Sequence, residues 1–151
     1  MSIEVVRILQ VTGAGREVME PQWLAAAQRV HRQLRPQMPV DYVQKMHKVF
    51  RDGGEMCVAV RADRVVGVSV FREFENTHVG RRLYVDDLVA DDAERSTGVG
   101  RALVAYLEKV ARDRGCPGFD LESGTHRTRA HRFYFREGFF LTAFSFRKDF
   151  Q

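Results

Sequence analysis

The chain is short of the residues that would staple or interrupt a small fold. Among 151 residues there are two cysteines and four prolines. Cys57 and Cys116 are too few for a disulfide framework or a cysteine-built metal site, and a reducing cytoplasm is the compartment they suggest. Cys57, inside Met56-Cys57-Val58-Ala59-Val60, reads as a buried strand residue, and Cys116, in a turn, as the more exposed of the two. Among the five histidines, His126 and His131 stand five apart and share no helix face. His31, His47 and His78 have no partner at ligand spacing, so no metal is expected. Lysine is scarce, 4 against 20 arginines, and the net charge is a mild +4. The arginines are scattered beside Asp and Glu, without the basic block and exposed aromatics of a nucleic-acid platform. No run approaches 18 apolar residues, which argues against a membrane span. The opening MSIEVVRILQ lacks the basic region, apolar run and cleavage site of a signal peptide.

What is present is a globular composition, 44% hydrophobic and 29% charged, at the size of one domain spanning 1–151. Residues 3–11 read as a first strand, and 21–34 and 40–50 as amphipathic helices. The runs MCVAVRAD and RVVGVSVFREFE read as a hairpin around Ala62-Asp63-Arg64, followed by a strand over 82–90. Leu103, Tyr106, Leu107 and Val110 mark a helix over 99–113. A strand over 119–123, a short helix near 127–137 closed by Gly138, and a last strand over 139–148 complete the order β-αα-βββ-α-β-α-β. That is a mixed α/β (α+β) domain.

The segment Arg95-Ser96-Thr97-Gly98-Val99-Gly100 lies between a strand and the clearest helix. Glycine lets the backbone turn tightly and approach a ligand, and the unpaired N–H groups of a helix start suit a pyrophosphate. Arg95 adds a charge-assisted contact. No Gly-Lys-Ser/Thr follows and no GxGxxG is present, so this is neither a P-loop nor a dinucleotide fingerprint. Taken alone, the loop equally suits a turn that brings a helix close to a sheet.

Two further segments decide between these readings. Val85-Asp86-Asp87-Leu88-Val89-Ala90 precedes the loop, and Ala130-His131-Arg132-Phe133-Tyr134-Phe135-Arg136-Glu137-Gly138-Phe139 follows downstream. In this order and spacing they resemble the GNAT superfamily of N-acetyltransferases. The loop resembles its Arg/Gln-x-x-Gly-x-Gly motif, and the later segment its Ala-x-x-Phe-Tyr-x-x-x-Gly-Phe motif. The strong resemblance covers about residues 83–140; the N-terminal half matches by element order. The C-terminal run, with Phe144-x-Phe146-x-Lys148 behind it, is more weakly similar to aminoalkylphosphonate N-acetyltransferases. Arg127 stands where many members of the superfamily carry Asn.

The resemblance implies a single domain with a central twisted mixed sheet flanked by helices. Two parallel strands, 82–90 and 119–123, would splay apart over acetyl-CoA. Backbone groups of Leu88, Val89 and Ala90 would meet the pantetheine arm. The pyrophosphate would rest on N–H groups from Thr97 to Arg101, with Arg95, Ser96 and Arg127 as further contacts. Tyr134 would be the general acid for the departing thiolate. Asp87 is the first choice for the base, Asp86 the alternative, and a relaying water the third route. Glu122 and Ser123 lie on the facing strand.

The acceptor implied is a primary amine on a small molecule. Asp86 and Asp87 favour a cationic amine, and Arg127, Arg129 and Arg132 an anionic tail on the same molecule. Those arginines suit solvated positions or the cofactor's phosphates equally. A protein or peptide N-acetyltransferase and a non-catalytic acyl-CoA-binding module are the alternatives. Five Phe at 139, 140, 144, 146 and 150 read as core and interface, and a homodimer using the C-terminal strand or the first helices is expected.

Overall fold

The computed structural model describes residues 4–151. The chain falls into two compact units, one running through Asp120 and the other Leu121–Gln151. The elements of the first are β1 (Arg7–Gln10), α1 (Pro21–Leu34), α2 (Tyr42–Arg51), β2 (Glu55–Arg61), β3 (Arg64–Asn76), β4 (Gly80–Ala90), a 3-10 turn (Asp92–Glu94) and α3 (Val99–Asp113). Strand β5 (Phe119–Leu121) crosses the boundary between the units. The sheet order is β1-β2-β3-β4-β5, antiparallel from β1 to β4, with β5 parallel beside β4. This is the mixed, helix-flanked sheet expected.

Each helix follows a local signal. Pro21 opens α1, where its missing N–H removes no intrahelical bond. Asp41 caps α2, its carboxylate accepting from the Gln44 N–H at 3.0 Å. The helix buries Tyr42, Met46 and Phe50 and leaves Val43 37% exposed. Helix α3 buries Val99, Leu103, Val104, Leu107 and Ala111. The two hairpin strands are joined by Ala62 and Asp63 alone, with φ of 50° and 57°, the left-handed pair of a type I′ turn.

Strand β2 is buried along Glu55–Val60 because both faces of the sheet are covered. Met56, Val58 and Val60 point into the cluster formed with Leu24, Ala27 and Val30 of α1 and the buried residues of α2. The alternate residues face α3. Gly67 of β3, opposite Ala59, leaves the gap that α3 fills: a Cβ there would lie 2.7 Å from Val99 Cγ1 and 3.0 Å from Leu103 Cδ1. At the end of α3, Arg114 bonds Glu55 (2.7 and 2.9 Å) and Glu73 (3.0 Å), pairing the buried Glu55 carboxylate.

Several expectations are corrected. Position 3 of the expected first strand lies outside the described residues, and the strand found is confined to Arg7–Gln10. Strand β5 stops at Leu121, so Glu122 and Ser123 are not in a strand. Cys116 is buried, 8% exposed, and burial raises its thiol pKa, so it is not the accessible thiol expected from its turn.

The second unit contains α4 (Thr128–Arg136), closed by Gly138 at φ 91°. The expected strand over 139–148 is not formed: no regular structure follows α4, and residues 140–151 are all exposed. The Phe-rich tail is therefore not core. Its pattern fits a strand, but a strand needs a neighbour to satisfy its backbone groups, and the described residues provide none.

Candidate active site

Two of the three motifs lie in the first unit. Strand β4 pairs with β3 in the register Ser69 to Leu88, Val68 to Val89 and Gly67 to Ala90. One step earlier the register slips: Val70 opposes Asp87 and Phe71 opposes Val85, so Asp86 has no opposite residue. This β-bulge re-aims the side chains around it, and simple alternation fails there.

The two carboxylates consequently have different surroundings. Asp87 faces α1 and is 13% exposed. Its Oδ2 accepts from His31 Nε2 at 2.7 Å and its Oδ1 from Arg35 Nε at 2.8 Å. His31 is itself buried, and its Nδ1 lies 2.8 Å from the Tyr42 hydroxyl. A carboxylate only accepts, so His31 Nε2 donates to Asp87, and Nδ1 shares a hydrogen bond with the Tyr42 hydroxyl. The chain Tyr42–His31–Asp87 thus links α2, α1 and β4. Burial of Asp87 pushes its pKa up, but the bonds and charges of His31 and Arg35 outweigh this and hold it below the usual range. Burial, with the nearby Asp87 charge, pushes the Tyr42 pKa far up, so that hydroxyl stays protonated. Asp86 is 30% exposed and its Oδ2 accepts from Arg72 Nε at 2.7 Å. Its backbone carbonyl accepts from Arg35.

The sequence reading found the two aspartates and missed His31, Arg35 and Tyr42. A signal was present: His31 sits one turn beyond Ala27 and two beyond Leu24, on the apolar stripe of α1. A titratable residue there needs a buried partner, but which partner depends on pairing across the fold.

The loop before α3 has the backbone its sequence suggested. Ser96 and Gly98 both lie in the left-handed region, at φ 62° and 91°. The first intrahelical bond runs from Ala102 N–H to Gly98 O at 3.0 Å. The N–H groups of Val99, Gly100 and Arg101 therefore project from the helix end, and Gly98 supplies no side-chain cap. A Cβ at Gly98 would meet nothing within 4 Å, so the space in front of the turn is open. Arg61 from the end of β2 braces the loop, bonding Thr97 O and Thr97 Oγ1 at 3.0 Å each and Glu94 at 2.5 Å. Arg95 is half exposed and paired with Asp92 at 2.6 Å. The N–H row and the clear approach match a diphosphate; Arg95 would have to exchange its aspartate for it.

Tyr134 and Arg127 lie in the second unit. Arg127 is the residue before α4, and its N–H bonds Gly124 O at 3.0 Å. Tyr134 is partly buried, with Phe133 and Phe139 edge-on at centroid distances of 5.4 Å each. Burial raises its pKa and the Arg127 charge opposes the rise. The phenol keeps its proton at neutral pH, as a general acid must. Arg129 and Arg132 are exposed, with no carboxylate partner among the described residues.

Similarity to known proteins extends over most of the chain. Residues 14–139 match the family model described as the acetyltransferase (GNAT) family. An uncharacterised N-acetyltransferase of Bacillus subtilis (strain 168) is 40% identical over 72 residues, 47% of this chain and 51% of the relative. An aminoalkylphosphonate N-acetyltransferase of Salmonella typhimurium (strain LT2) is 34% identical over 92 residues, 60% of each chain. The chain thus spans only half to three-fifths of these curated relatives' length. Among solved structures, an aminoglycoside N-acetyltransferase in complex with CoA superposes with a TM-score of 0.79 at 16% identity, covering 96% of this chain and 95% of that one. That likeness is one of fold. With the bulged strand, the loop turn and the Tyr134 helix all within the matched span, the chain belongs to the GNAT family of acetyltransferases.

Proposed function

We propose that this chain transfers an acetyl group from acetyl-CoA directly to the primary amine of a small molecule that carries an anionic group. The observation that carries the reading is the turn at Ser96–Gly98, which opens α3 with its N–H row outward and the space before it clear. The family match across 14–139 supports treating both units as one acetyltransferase domain; the reading also takes it to act in the cytoplasm, with neither nucleic acid nor membrane as partner.

In this reading the loop from Arg95 to Arg101 holds the pyrophosphate, Arg127 adds a contact, and the backbone of Leu88, Val89 and Ala90 holds the pantetheine arm. The amine nitrogen attacks the thioester carbonyl, a C–N bond forms, and the C–S bond breaks. The ammonium must first lose a proton. Both oxygens of Asp87 are engaged and its pKa is lowered, which makes it a weak direct acceptor. Asp87 therefore acts through water and as a fixed negative charge that attracts the ammonium. Asp86 has only Oδ2 engaged and is more exposed, and is the direct alternative. Tyr134 donates its proton to the departing thiolate. The exposed arginines of α4 suit a phosphonate, phosphate or carboxylate on the acceptor. The Salmonella relative's name, an aminoalkylphosphonate acetyltransferase, supports that class.

The test is thiol release from acetyl-CoA with a panel of amines, including matched pairs with and without a phosphonate. Faster turnover of the phosphonate members is expected, and abolition by Gly98→Val. No thiol release with any amine would overturn the reading. The homodimer belongs to this reading as its assembly state.

A further inference from the structure

Asp87 is held from two sides that differ in how firmly they hold. On the inner side its Oδ2 accepts from His31 Nε2 at 2.7 Å, and His31 and the Tyr42 behind it are each 1% exposed. Neither can withdraw without stranding a buried polar group. On the outer side its Oδ1 accepts from Arg35 Nε at 2.8 Å, while Arg35 Nη2 reaches the Asp86 carbonyl at 3.1 Å. The Arg35 side chain is 50% exposed and the carboxylate beneath it 13%. The guanidinium therefore covers the outer oxygen of Asp87.

That outer bond is the weaker of the two. A half-exposed guanidinium regains water when it leaves, so such a pair contributes little to stability. The Arg35 backbone is fixed: it ends α1, its N–H bonds His31 O at 3.0 Å, and Pro36 follows. Only the side chain has to turn. The neighbouring guanidiniums are committed elsewhere, Arg32 to the carbonyls of Met38, Pro39 and Val40, and Arg72 to Asp86. Charge then decides what can take the place of Arg35. An ammonium arriving alone at Oδ1 sets two cations, itself and Arg35, over one carboxylate. An amine that also carries an acid group brings an anion for the freed guanidinium, and the exchange leaves two pairs of opposite charge.

We propose that Arg35 is a specificity-determining residue: it occupies Asp87 Oδ1 in the free protein, yields that oxygen to the acceptor's ammonium, and takes the acid group of the same molecule. The acceptor class is a short zwitterion, its amine and its phosphonate or carboxylate a few bonds apart, because the guanidinium stays within one side chain's swing of Asp87. The planar fork of an arginine suits either acid. The inference rests on the acetyl-transfer reading for the place of Asp87 beside the amine. It adds to the arginines of α4 a contact for the anion on α1, in the unit that holds Asp87.

The experiment measures kcat and KM for aminoethylphosphonate and for propylamine, its counterpart without the acid, in wild type, Arg35→Ala and Arg132→Ala. Arg35→Ala is expected to raise KM for aminoethylphosphonate by roughly tenfold or more and to lower it for propylamine, whose competitor for Asp87 is gone. A merely structural role would move both amines the same way, so equal changes overturn the proposal. So does a phosphonate preference that survives Arg35→Ala and is lost in Arg132→Ala. If Arg35→Ala does not fold by circular dichroism, Arg35→Lys decides, since it keeps the charge and loses the fork: it must weaken aminoethylphosphonate more than propylamine. If the wild type releases no thiol with any amine, acetyl transfer falls, and calorimetric titration of aminoethylphosphonate into protein saturated with CoA decides the exchange. Binding that Arg35→Ala abolishes supports it; binding that is absent, or unchanged in the variant, overturns it.

Discussion

Asp87 illustrates how a single side chain can be recognised without its role being visible. Its place before Leu88 marks it in the sequence; that both oxygens are spent on His31 and Arg35 comes from α1 crossing β4. Its neighbour Asp91 does comparable work at the end of the strand. That carboxyl is 3% exposed and accepts from Arg29 at 2.7 Å and Gln33 at 3.1 Å. The Arg29 bond chiefly, against burial, holds its pKa at about 2, where a free aspartate has 3.8. A depressed carboxyl pKa stabilises the fold fully above the unfolded value and loses that contribution as pH falls through the folded one. Asp91→Asn is therefore expected to cost about 1–2 kcal/mol at pH 7, discounted because Arg29 is half exposed, and progressively less from pH 4 to pH 2. Urea melts of both proteins across that range measure it; a pH-independent difference would mean the charge is not what Asp91 contributes. Tyr134→Phe removes a hydroxyl and almost no apolar area. It is expected to lower kcat on the order of 10- to 1000-fold while leaving acetyl-CoA affinity nearly intact, because the proton matters where charge develops on sulfur. Turnover beside calorimetric titration separates the two effects.

At the scale of elements, two glycines serve α3 in different ways, and substitutions should tell them apart. Gly67 admits the body of the helix onto the sheet, so Gly67→Val forces Val99, Leu103 and Ala59 apart. A loss of about 1–3 kcal/mol is expected from overpacking, with any fall in cofactor affinity secondary to it. Gly98 sets the turn into the helix at φ 91° with open space around it. Gly98→Val costs about 1–2 kcal/mol in left-handed strain, and it also places a branched side chain where a pyrophosphate would approach. Its acetyl-CoA affinity is expected to fall by tenfold or more in protein that remains folded. Calorimetric titration and thermal melts of both variants give the comparison; equal affinities would mean the N–H row of α3 does not hold the cofactor.

For the whole molecule the consequential surface is the tail. In the proposed homodimer folding is linked to association, and Tm should rise with protein concentration. A rise of a few degrees per hundredfold concentration is expected, checked by scanning calorimetry over that range; a Tm independent of concentration would mean a monomer. The surface ion pairs on α3, Lys109 to Asp113 and Arg112 to Glu108, are exposed and contribute little to that stability.

What the sequence determined by itself is whatever depends on near neighbours in the chain. Helix α1 begins at Pro21, α3 runs from Val99 to Asp113, and the hairpin turns at Ala62 and Asp63, because caps, apolar spacing and turn residues act over a few positions. The loop at Ser96–Gly98 and the Tyr134 helix were legible for the same reason. Tertiary structure alone decided the rest. The bulge at Asp86 exists only in the register of β4 against β3, and it overrides the alternation that a strand's sequence implies. His31, Arg35 and Tyr42 meet Asp87 across separations of 52 to 56 residues for the first two, and through His31 for the third. Cys116 is buried although its turn suggested exposure. The segment over 139–148 has a strand's pattern and no strand, because the pattern records a preference for a half-buried pleated surface, and only a neighbouring chain segment can provide that surface.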